Sequence, residues 1–275
     1  LLHDGPEAFD AMIEIIDGAQ SEVALESYIV SDDSVGERFA DSLSAAARRG
    51  VRVRLLTDWI GSRSPSRRFW RYLRDSGVEV EIFNPPGFRR WLGLIPRDHR
   101  KQLVVDGLIG ITGGFGIAEE WDPGRSRSGA ARRWRDTAVR IEGPAAQDMQ
   151  RAFDAMWMRS QGPRSAWKRD AHRRRRHRSP LDVSAGGARV GLIQGEPRRL
   201  RVARGLQVQS VLAARSIWIA TAYFLPSSSE IEGLKGAARD GVDVRLLLPS
   251  KNDHPWVTML ARRYYGRLLE NGIRI

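Results

Sequence analysis

Two residues with the chemistry for phosphoryl transfer, His99 and Lys101, stand two positions apart near the middle of the chain. An imidazole beside a fixed ammonium suits a phosphodiester, because the ammonium neutralises a non-bridging oxygen while the imidazole attacks phosphorus or exchanges a proton. Side chains two residues apart on a strand point to the same face of a sheet. The spacing therefore predicts a site that cleaves or transfers a phosphodiester.

The residues that follow predict a β-hairpin that would hold this pair. Residues 103–112 form two apolar runs joined at Asp106-Gly107, which is a strong turn pair. Asp106 falls at the turn, where strand alternation no longer predicts the direction of its side chain, so a role in orienting an imidazole stays open. β-Propensity alone would also explain a threonine in the hairpin. We predict substrate contacts at Thr112, Gly113 and Gly114.

The chain contains an internal repeat. Residues 46–56 read AARRGVRVRLL and residues 237–247 read AARDGVDVRLL, so nine of eleven positions are identical. Residues 73–80 (LRDSGVEV) and 268–275 (LLENGIRI) continue the correspondence. Ordered matches at a nearly constant spacing indicate an internally duplicated protein. We predict a first half over 1–161, a basic linker over 162–188, and the amino-terminal part of an incomplete second half over 189–275.

Each half alternates strands with helices, which predicts an α/β fold with mixed β-sheets flanked by helices. In the first half an apolar alternating strand over 22–29 precedes a helix whose apolar face repeats at helical spacing. Gly50, after this helix, suits a left-handed carboxyl-terminal cap, as does its counterpart in the second half. We predict that the next helix begins at Ser64-Pro65, a capping serine before a proline, and ends near Gly77.

Composition narrows the function classes. The formal net charge is +12, from 45 basic and 33 acidic residues, which favours nucleic acid or an anionic membrane surface as a partner. Only four basic residues are lysines, so an arginine-rich composition explains much of this bias by itself. The absence of cysteine excludes disulfides and thiolate metal sites. No apolar run approaches the roughly 18 residues that span a bilayer, and the chain begins at Leu1 rather than Met.

Two segments could contact an anionic surface. The predicted linker carries eight Lys or Arg residues within 164–178, although a solvated connection explains them equally well. Residues 85–96, immediately before His99, are apolar and aromatic and include arginines. They predict either a buried loop or a loop that enters the lipid headgroup region. In the second case the membrane-binding residues would be Phe88, Arg89, Arg90 and Trp91.

The pattern H-x-K-x4-D-x6-G-G, from His99 to Gly114, resembles the signature of the phospholipase D superfamily. One position departs from that signature, because its members carry Asn two residues after the second glycine and this chain has Gly116. Several blocks resemble the cardiolipin synthase branch, and together they extend over nearly the whole chain. They are LESYIV (25–30), ITGGFGIAEEW (111–121), WRDTAVRIEGPA (134–145), TAYFLP (221–226) and KNDHPWVTMLARRYY (251–265).

The resemblance implies a two-step reaction on a duplicated fold, without a metal or cofactor. His99 would form a phosphohistidine, Lys101 would bind the phosphate, and Asp106 would support the site. A second histidine would protonate the leaving alcohol, because nucleophile and general acid approach phosphorus from opposite sides. The internal correspondence places this histidine roughly 20 residues beyond Ile275.

The function implied by the resemblance is that of a cardiolipin synthase, which transfers a phosphatidyl group from one phosphatidylglycerol to another and releases glycerol. We expect such a protein at the cytoplasmic side of the cell membrane, bound peripherally or anchored by a segment upstream of Leu1. Two alternatives remain. One is hydrolysis, by a phospholipase D or a DNA nuclease of the same superfamily, although we expect nucleic acid to be the less favoured partner. The other is a non-catalytic module that binds anionic membranes. A homodimer could also bring two copies of His99 together.

Overall fold

The computed structural model describes residues 1–85, 97–122, 134–161, 188, 190–195, 201–250 and 254–275. The chain forms two compact units, Leu1–Leu192 and Ile193–Ile275. Residues 162–187 of the predicted basic linker lie outside the described residues. So do the four residues predicted to bind a membrane, Phe88, Arg89, Arg90 and Trp91.

Unit 1 is built on a seven-stranded mixed sheet. The strand order is β1-β7-β6-β5-β2-β3-β4, with β2, β3 and β4 parallel and the other neighbours antiparallel. This arrangement confirms the predicted mixed sheet flanked by helices. The strands are β1 (Leu2–His3), β2 (Glu22–Ser27), β3 (Arg52–Asp58), β4 (Glu79–Phe83), β5 (Gln102–Val105), β6 (Ile109–Gly113) and β7 (Thr137–Glu142). The helices are α1 (Asp4–Asp17), α2 (Ser34–Arg48), α3 (Arg67–Asp75) and α4 (Pro144–Gln161), with a 3₁₀ turn at Glu119–Trp121.

Helices cover both faces of this sheet, so its central strands are buried on both sides. Alternate residues of β2, Val23 and Leu25, pack into the core with α1 and α2. The intervening Ala24 faces the other way, with Leu56 of β3, and packs against Phe153 of α4. Strands covered on both faces are buried along most of their length, and every residue is buried from Val23 to Ser27 in β2 and from Val53 to Asp58 in β3.

Unit 2 repeats the beginning of unit 1. Its strands β8 (Ser216–Ala220) and β9 (Asp243–Leu247) pair in parallel as β2 and β3 do. Gly50 and Gly241, which end equivalent helices, have φ values of +89° and +87°, and Gly77 and Gly272 have +92° and +80°. Left-handed backbone at matched positions requires glycine in both halves. The helices of unit 2 are α5 (Arg201–Leu212), α6 (Ser228–Arg239) and α7 (Pro255–Leu269).

The two units differ in what covers their sheets. In unit 1, Ala24 and Leu56 lie beneath α4 and are fully buried. At the equivalent positions of unit 2, Trp218 is 68% exposed and Leu247 is 74% exposed. Among the residues that the structure describes, none of the helices has the length and apolar content required to cross a bilayer.

One predicted element boundary is wrong. The helix predicted to begin at Ser64-Pro65 begins at Arg67, and its amino-terminal cap is Ser66, whose hydroxyl accepts the N–H of Phe69 at 3.1 Å. The N–H of Ser66 is itself bonded to a carboxylate oxygen of Asp32 at 3.0 Å. This long-range contact fixes the loop through Ser66, so the local serine-proline signal does not set the helix start.

Candidate active site

His99 and Lys101 lie at one end of the central strands. They immediately precede β5, which runs antiparallel to β2, so the beginning of β5 coincides with the end of β2. Strand β3 is parallel to β2 and ends at the same side. We call this side, where β2, β3 and β4 end, the carboxyl edge of unit 1. In open α/β sheets the carboxyl ends of parallel strands form the usual place for ligand sites.

Tyr28, the first residue after β2, brings the two predicted side chains together. Its ring stacks on the imidazole of His99 with a centroid distance of 4.0 Å and an interplanar angle of 20°. The Lys101 Nζ lies 5.6 Å from the centroid of the same ring and donates a hydrogen bond to the His99 carbonyl at 3.0 Å. The stacked phenol limits rotation of the imidazole, so Tyr28 orients the nitrogen atoms of His99.

The loop after β3 fixes the backbone of Tyr28. A Cβ atom at Gly61 would lie 2.0 Å from the Tyr28 carbonyl oxygen, so only glycine permits this approach. The hydroxyl of Ser62 donates to the same carbonyl at 3.3 Å. Tyr28 was not predicted as a site residue. Its sequence signal is its place at the end of a buried strand, which does not by itself indicate which side chain it meets.

The electrostatic environment favours the neutral form of the imidazole. Burial lowers the pKa of His99 below its ordinary value of 6.5, and the charge of Lys101 lowers it further. Burial also lowers the pKa of Lys101, while the carboxylates of Asp136 and Asp98 oppose that shift by favouring the ammonium. A neutral imidazole keeps a lone pair for attack, and the neighbouring cation is placed to bind an anionic oxygen.

This arrangement predicts a measurable titration. We expect His99 to titrate below 6.5 in the chain, and we expect Lys101→Met to raise that pKa because it removes one of the charges that lower it. Proton and nitrogen NMR of the imidazole across pH 4 to 8 would measure both values. A His99 pKa unchanged by Lys101→Met would contradict the proposed electrostatic coupling.

Buried carboxylates anchor the segment that leads into His99. Asp58, at the end of β3, is fully buried and accepts the backbone N–H of Asp98 at 3.0 Å. Its other oxygen accepts from the Arg97 guanidinium at 3.3 Å. Asp98 in turn accepts the N–H of Arg100 at 3.3 Å. These bonds fix the backbone on both sides of His99, which sequence spacing alone could not indicate.

A second polar group lies on the opposite face of the same segment. Glu26, the last residue but one of β2, is 1% exposed and accepts from Arg100 Nη2 at 2.6 Å and from Gln102 Nε2 at 2.5 Å. Burial raises the pKa of Glu26 well above 4.5, and the nearby Asp98 carboxylate raises it further. The carboxyl groups of Glu26 and Asp98 both contact the guanidinium of Arg100. Because one cation cannot balance two buried carboxylates, the protonated and therefore neutral form of Glu26 is favoured.

We expect Glu26→Gln to change how stability depends on pH. A raised pKa in the folded state means that the contribution of Glu26 is fully present below about pH 4.5 and is lost as pH rises through the folded pKa. The glutamine does not titrate, so the variant should gain stability relative to the wild type between pH 4.5 and 8. Urea unfolding at several pH values would measure this, with the exposed Glu270→Gln as the control. If the difference in free energy of unfolding between Glu26→Gln and the wild type stayed constant across that range, the raised pKa of Glu26 would be contradicted.

Asp106 lies at the far end of β5 from His99. Its carboxylate accepts the backbone N–H groups of Gln20 at 3.0 Å, Ser21 at 2.8 Å and Glu22 at 2.8 Å. The four residues of β5 separate it from the Lys101 side, a distance of about 13 Å in an extended strand. The carboxylate therefore ties the hairpin turn to the start of β2 rather than orienting the imidazole. The turn itself forms as predicted, with φ values of +54° and +66° at Asp106 and Gly107.

We expect Asp106→Ala to destabilise the chain by about 2–3 kcal/mol, because several charge-assisted bonds to backbone N–H groups are lost. Burial raises the pKa of Asp106, but bonds from Glu22, Gln20 and Ser21 outweigh burial and hold the pKa below 3.8. Its contribution is therefore present above about pH 3.8 and is lost as pH falls through the folded value. Denaturant unfolding at pH 7 and pH 3, beside the exposed Asp75→Ala, would measure it. Equal losses of unfolding free energy in Asp106→Ala and Asp75→Ala at pH 7 would contradict the role of Asp106 in tying the hairpin turn to β2.

The predicted substrate-contact residues lie close to the pair. The hydroxyl of Thr112 donates to the Lys101 carbonyl at 2.8 Å, which fixes the backbone of that lysine. A Cβ atom at Gly113 would lie 2.8 Å from the Thr137 carbonyl oxygen, and one at Gly114 would lie 2.0 Å from the Asp136 carboxylate. The two glycines therefore admit the neighbouring strand and its carboxylate. Substrate contact by Thr112, Gly113 and Gly114 stays a prediction.

Asp136 is a site residue that the sequence reasoning missed. Its carboxylate lies against Gly114, and its charge favours the ammonium form of Lys101. The residue stands in the quoted block WRDTAVRIEGPA, just before β7. Because β7 pairs with β6 at the far side of the hairpin, only the sheet order shows that Asp136 reaches the lysine.

The space beyond Gly116 is filled. A Cβ atom there would lie 2.7 Å from the ring of Trp121 and 2.9 Å from the Cβ of Ile29. Trp121 is buried, so an asparagine at this position would require the indole to move. Glycine at position 116 therefore leaves room for the side chains of Trp121 and Ile29. Within the described ranges, no three His, Asp or Glu side chains converge as a metal-binding group.

The histidine-lysine pair, the hairpin and the mixed sheet are the features that the resemblance to the phospholipase D superfamily predicts. The chain belongs to the family described as "Cardiolipin synthase, PLD-like domain", whose sequence model matches residues 12–157 and 211–275.

Curated relatives carry the same description. The chain is 35% identical to a cardiolipin synthase of Geobacillus kaustophilus, over 100% of this chain and 54% of that protein. It is 31% identical to the major cardiolipin synthase of Bacillus subtilis, over 100% of this chain and 56% of that protein. The chain thus spans about half the length of the curated relatives it matches.

A solved structure shares the fold. The phosphatidylserine synthase of Haemophilus influenzae matches with a TM-score of 0.62 and 14% identity, over 97% of this chain and 69% of that chain. At this identity the match supports the fold alone.

Proposed function

We propose that the protein containing this chain is a phosphatidyltransferase that makes cardiolipin and glycerol from two molecules of phosphatidylglycerol. The observation that carries the proposal is that the imidazole of His99 stacks on the ring of Tyr28 and the ammonium of Lys101 lies over the same ring at the carboxyl edge. This pair suits attack on a phosphodiester. The choice of lipid is supported by the relatives that are called cardiolipin synthases.

The reaction proceeds in two displacements at phosphorus. A ring nitrogen of His99 attacks the phosphorus of the first phosphatidylglycerol, a phosphorus–nitrogen bond forms, and the bond to the glycerol oxygen breaks. That oxygen leaves as glycerol after it takes a proton from a general acid. The hydroxyl of a second phosphatidylglycerol then gives its proton to the same group, attacks phosphorus and releases His99. Lys101 binds a non-bridging oxygen throughout.

The general acid is proposed to come from the second half, at the hairpin equivalent to residues 102–113. Such an arrangement would place two imidazoles on opposite sides of phosphorus, as in-line displacement requires. Asp106 acts only through the fold in this scheme, since it ties the hairpin to β2. No step in the scheme requires a metal or a cofactor.

The test is a product analysis with the complete reading frame in mixed micelles of labelled phosphatidylglycerol. The proposal predicts equal amounts of cardiolipin and glycerol. Phosphatidic acid in place of cardiolipin would identify a hydrolase instead. Nicking of supercoiled DNA that is lost in His99→Ala, without any lipid turnover, would identify a nuclease and overturn the proposal.

We also propose that the protein works at a membrane surface, on the cytoplasmic side. The support for the surface is chemical, because the substrate of the proposed reaction is a membrane lipid. The net charge of +12 would favour anionic lipid as well. The side of the membrane rests on the family resemblance, and accessibility of an engineered surface cysteine in intact cells would test it.

A further inference from the structure

The carboxyl edge of unit 1 exposes residues that the proposed chemistry does not use. The loop from β3 to α3 carries Trp59 and Ile60, and the Ile60 side chain is 37% exposed. The guanidinium of Arg63 lies 5.0 Å from the centroid of the Trp59 ring. Arg63 is exposed, and so is Arg67 in the first turn of α3. An aromatic ring, an aliphatic side chain and two arginines therefore surround the end of the sheet at which His99 lies.

Unit 2 presents the same kind of surface at the equivalent place. The spacing that relates Gly77 to Gly272 also relates Arg67 and Arg68 of α3 to Arg262 and Arg263 of α7. All four arginines are exposed. This register is supported by matched backbone bonds, from Val78 N–H to the Leu73 carbonyl at 3.1 Å and from Ile273 N–H to the Leu268 carbonyl at 3.2 Å.

The residues before the second arginine pair are apolar and exposed too. Trp256 is 55% exposed and Met259 is 66% exposed, both in the first two turns of α7. By the same spacing, Trp256 and Met259 correspond to Gly61 and Ser64, in the loop that also holds Trp59 and Ile60. The two stretches differ in local structure, one a loop and the other a helix. Each carries a tryptophan and another apolar residue within eight positions of an exposed arginine pair.

This combination of side chains fits one partner chemistry. Indole rings prefer the interface between water and hydrocarbon, and arginines bind lipid phosphates through charged hydrogen bonds. Arginine alone would also suit nucleic acid. Exposed Ile60 and Met259 gain nothing from a phosphate backbone, but they are stabilised by entry into acyl chains.

We propose that four residues of unit 1, Trp59, Ile60, Arg63 and Arg67, form a docking surface for anionic phospholipid bilayers. The carboxyl edge of unit 1 carries His99, so a lipid phosphodiester could reach the imidazole without leaving the headgroup layer. The orientation of His99 toward lipid rests on the proposed function, whereas bilayer binding does not depend on it.

The test is co-sedimentation of the complete protein with vesicles of phosphatidylcholine that contain or lack phosphatidylglycerol. We expect Arg63→Ser with Arg67→Ser to lower binding to the anionic vesicles about 20-fold, since each basic residue near such a surface contributes about fivefold. The matched control is Arg48→Ser with Arg74→Ser. It removes the same charge from exposed positions at the other ends of α2 and α3, and it should change binding less than about threefold.

A second variant tests the apolar contribution. Ile60→Ser should lower binding about threefold at high salt, where the attraction between charges is screened. Thermal unfolding midpoints equal to the wild type would establish that all variants are folded. Vesicle binding is measured without turnover, so the two proposals can be separated. A protein that binds vesicles but makes no cardiolipin would contradict the proposed function and would still support the docking surface.

Three results would overturn the docking surface. One is equal binding to vesicles with and without phosphatidylglycerol. Another is an equal loss in the arginine variant and its control, which would mean that net charge alone determines binding. The last is a loss of binding to duplex DNA in the Arg63 and Arg67 variant while vesicle binding is unchanged, which would assign the surface to nucleic acid.

Discussion

His99→Asn is expected to lower phosphatidyl transfer by the complete protein more than about 10³-fold, because no other group could take the place of a nucleophile that bonds to phosphorus. Asparagine is close to imidazole in size and lacks a comparable lone pair, so the stack on Tyr28 should loosen without a large loss of stability. Initial rates of cardiolipin formation, measured beside the thermal unfolding midpoint, would separate the two effects.

The matched control for this variant is His3→Asn, which changes an exposed histidine in the short strand β1. It should leave the rate within about twofold of the wild type, as surface changes away from the site usually do. A His99→Asn protein that is folded and retains a tenth of the wild-type rate would rule out His99 as the nucleophile.

Lys101→Met is expected to lower kcat about 10²- to 10³-fold with a smaller change in KM. The ammonium interacts most strongly with the charge that develops on the phosphoryl oxygens in the transition state. Removal of the ammonium therefore lowers kcat more than it changes KM. Methionine fills most of the volume that the lysine stem occupies beside Tyr28. Steady-state kinetics on phosphatidylglycerol micelles would measure both constants.

Two further variants sharpen this prediction. Lys101→Arg keeps the charge and should recover part of the lost rate, though not all, because a guanidinium does not reproduce the position of a single ammonium. Lys235→Met, in unit 2, removes a lysine that pairs with Glu232 at 2.8 Å, and it should leave kcat unchanged. An effect of Lys101→Met confined to KM would contradict a role for this lysine in the transition state.

The sequence predicted the parts of the site that depend on short-range spacing. His99 and Lys101 do lie together, around the ring of Tyr28, although both precede β5 rather than lying in it, and their catalytic roles stay predictions. Asp106-Gly107 forms the predicted turn, with positive φ values at both residues. The repeat predicted matched glycines at Gly50 and in unit 2, since left-handed backbone favours the same residue each time. These signals need no knowledge of the neighbouring strands.

The parts that could not be predicted depend on which strands become neighbours. Tyr28 meets His99 only because β2 pairs with β5, and Asp136 reaches Lys101 only because β7 follows β6 in the sheet. Glu26 shows the same limit, since a carboxylate in an apolar strand gives no indication of its partner. The helix predicted to begin at Ser64-Pro65 failed for a related reason, a bond to a residue more than thirty positions away.

The central claim is that His99 carries the phosphatidyl group between the two lipids, and trapping that intermediate tests it most directly. The complete protein would be mixed with labelled phosphatidylglycerol, quenched in alkali within milliseconds, digested and examined by mass spectrometry. We predict a phosphatidyl adduct on the peptide that contains His99, labile to acid and absent from His99→Asn. Cardiolipin formation with an adduct on a different residue, or with none at His99, would contradict the account.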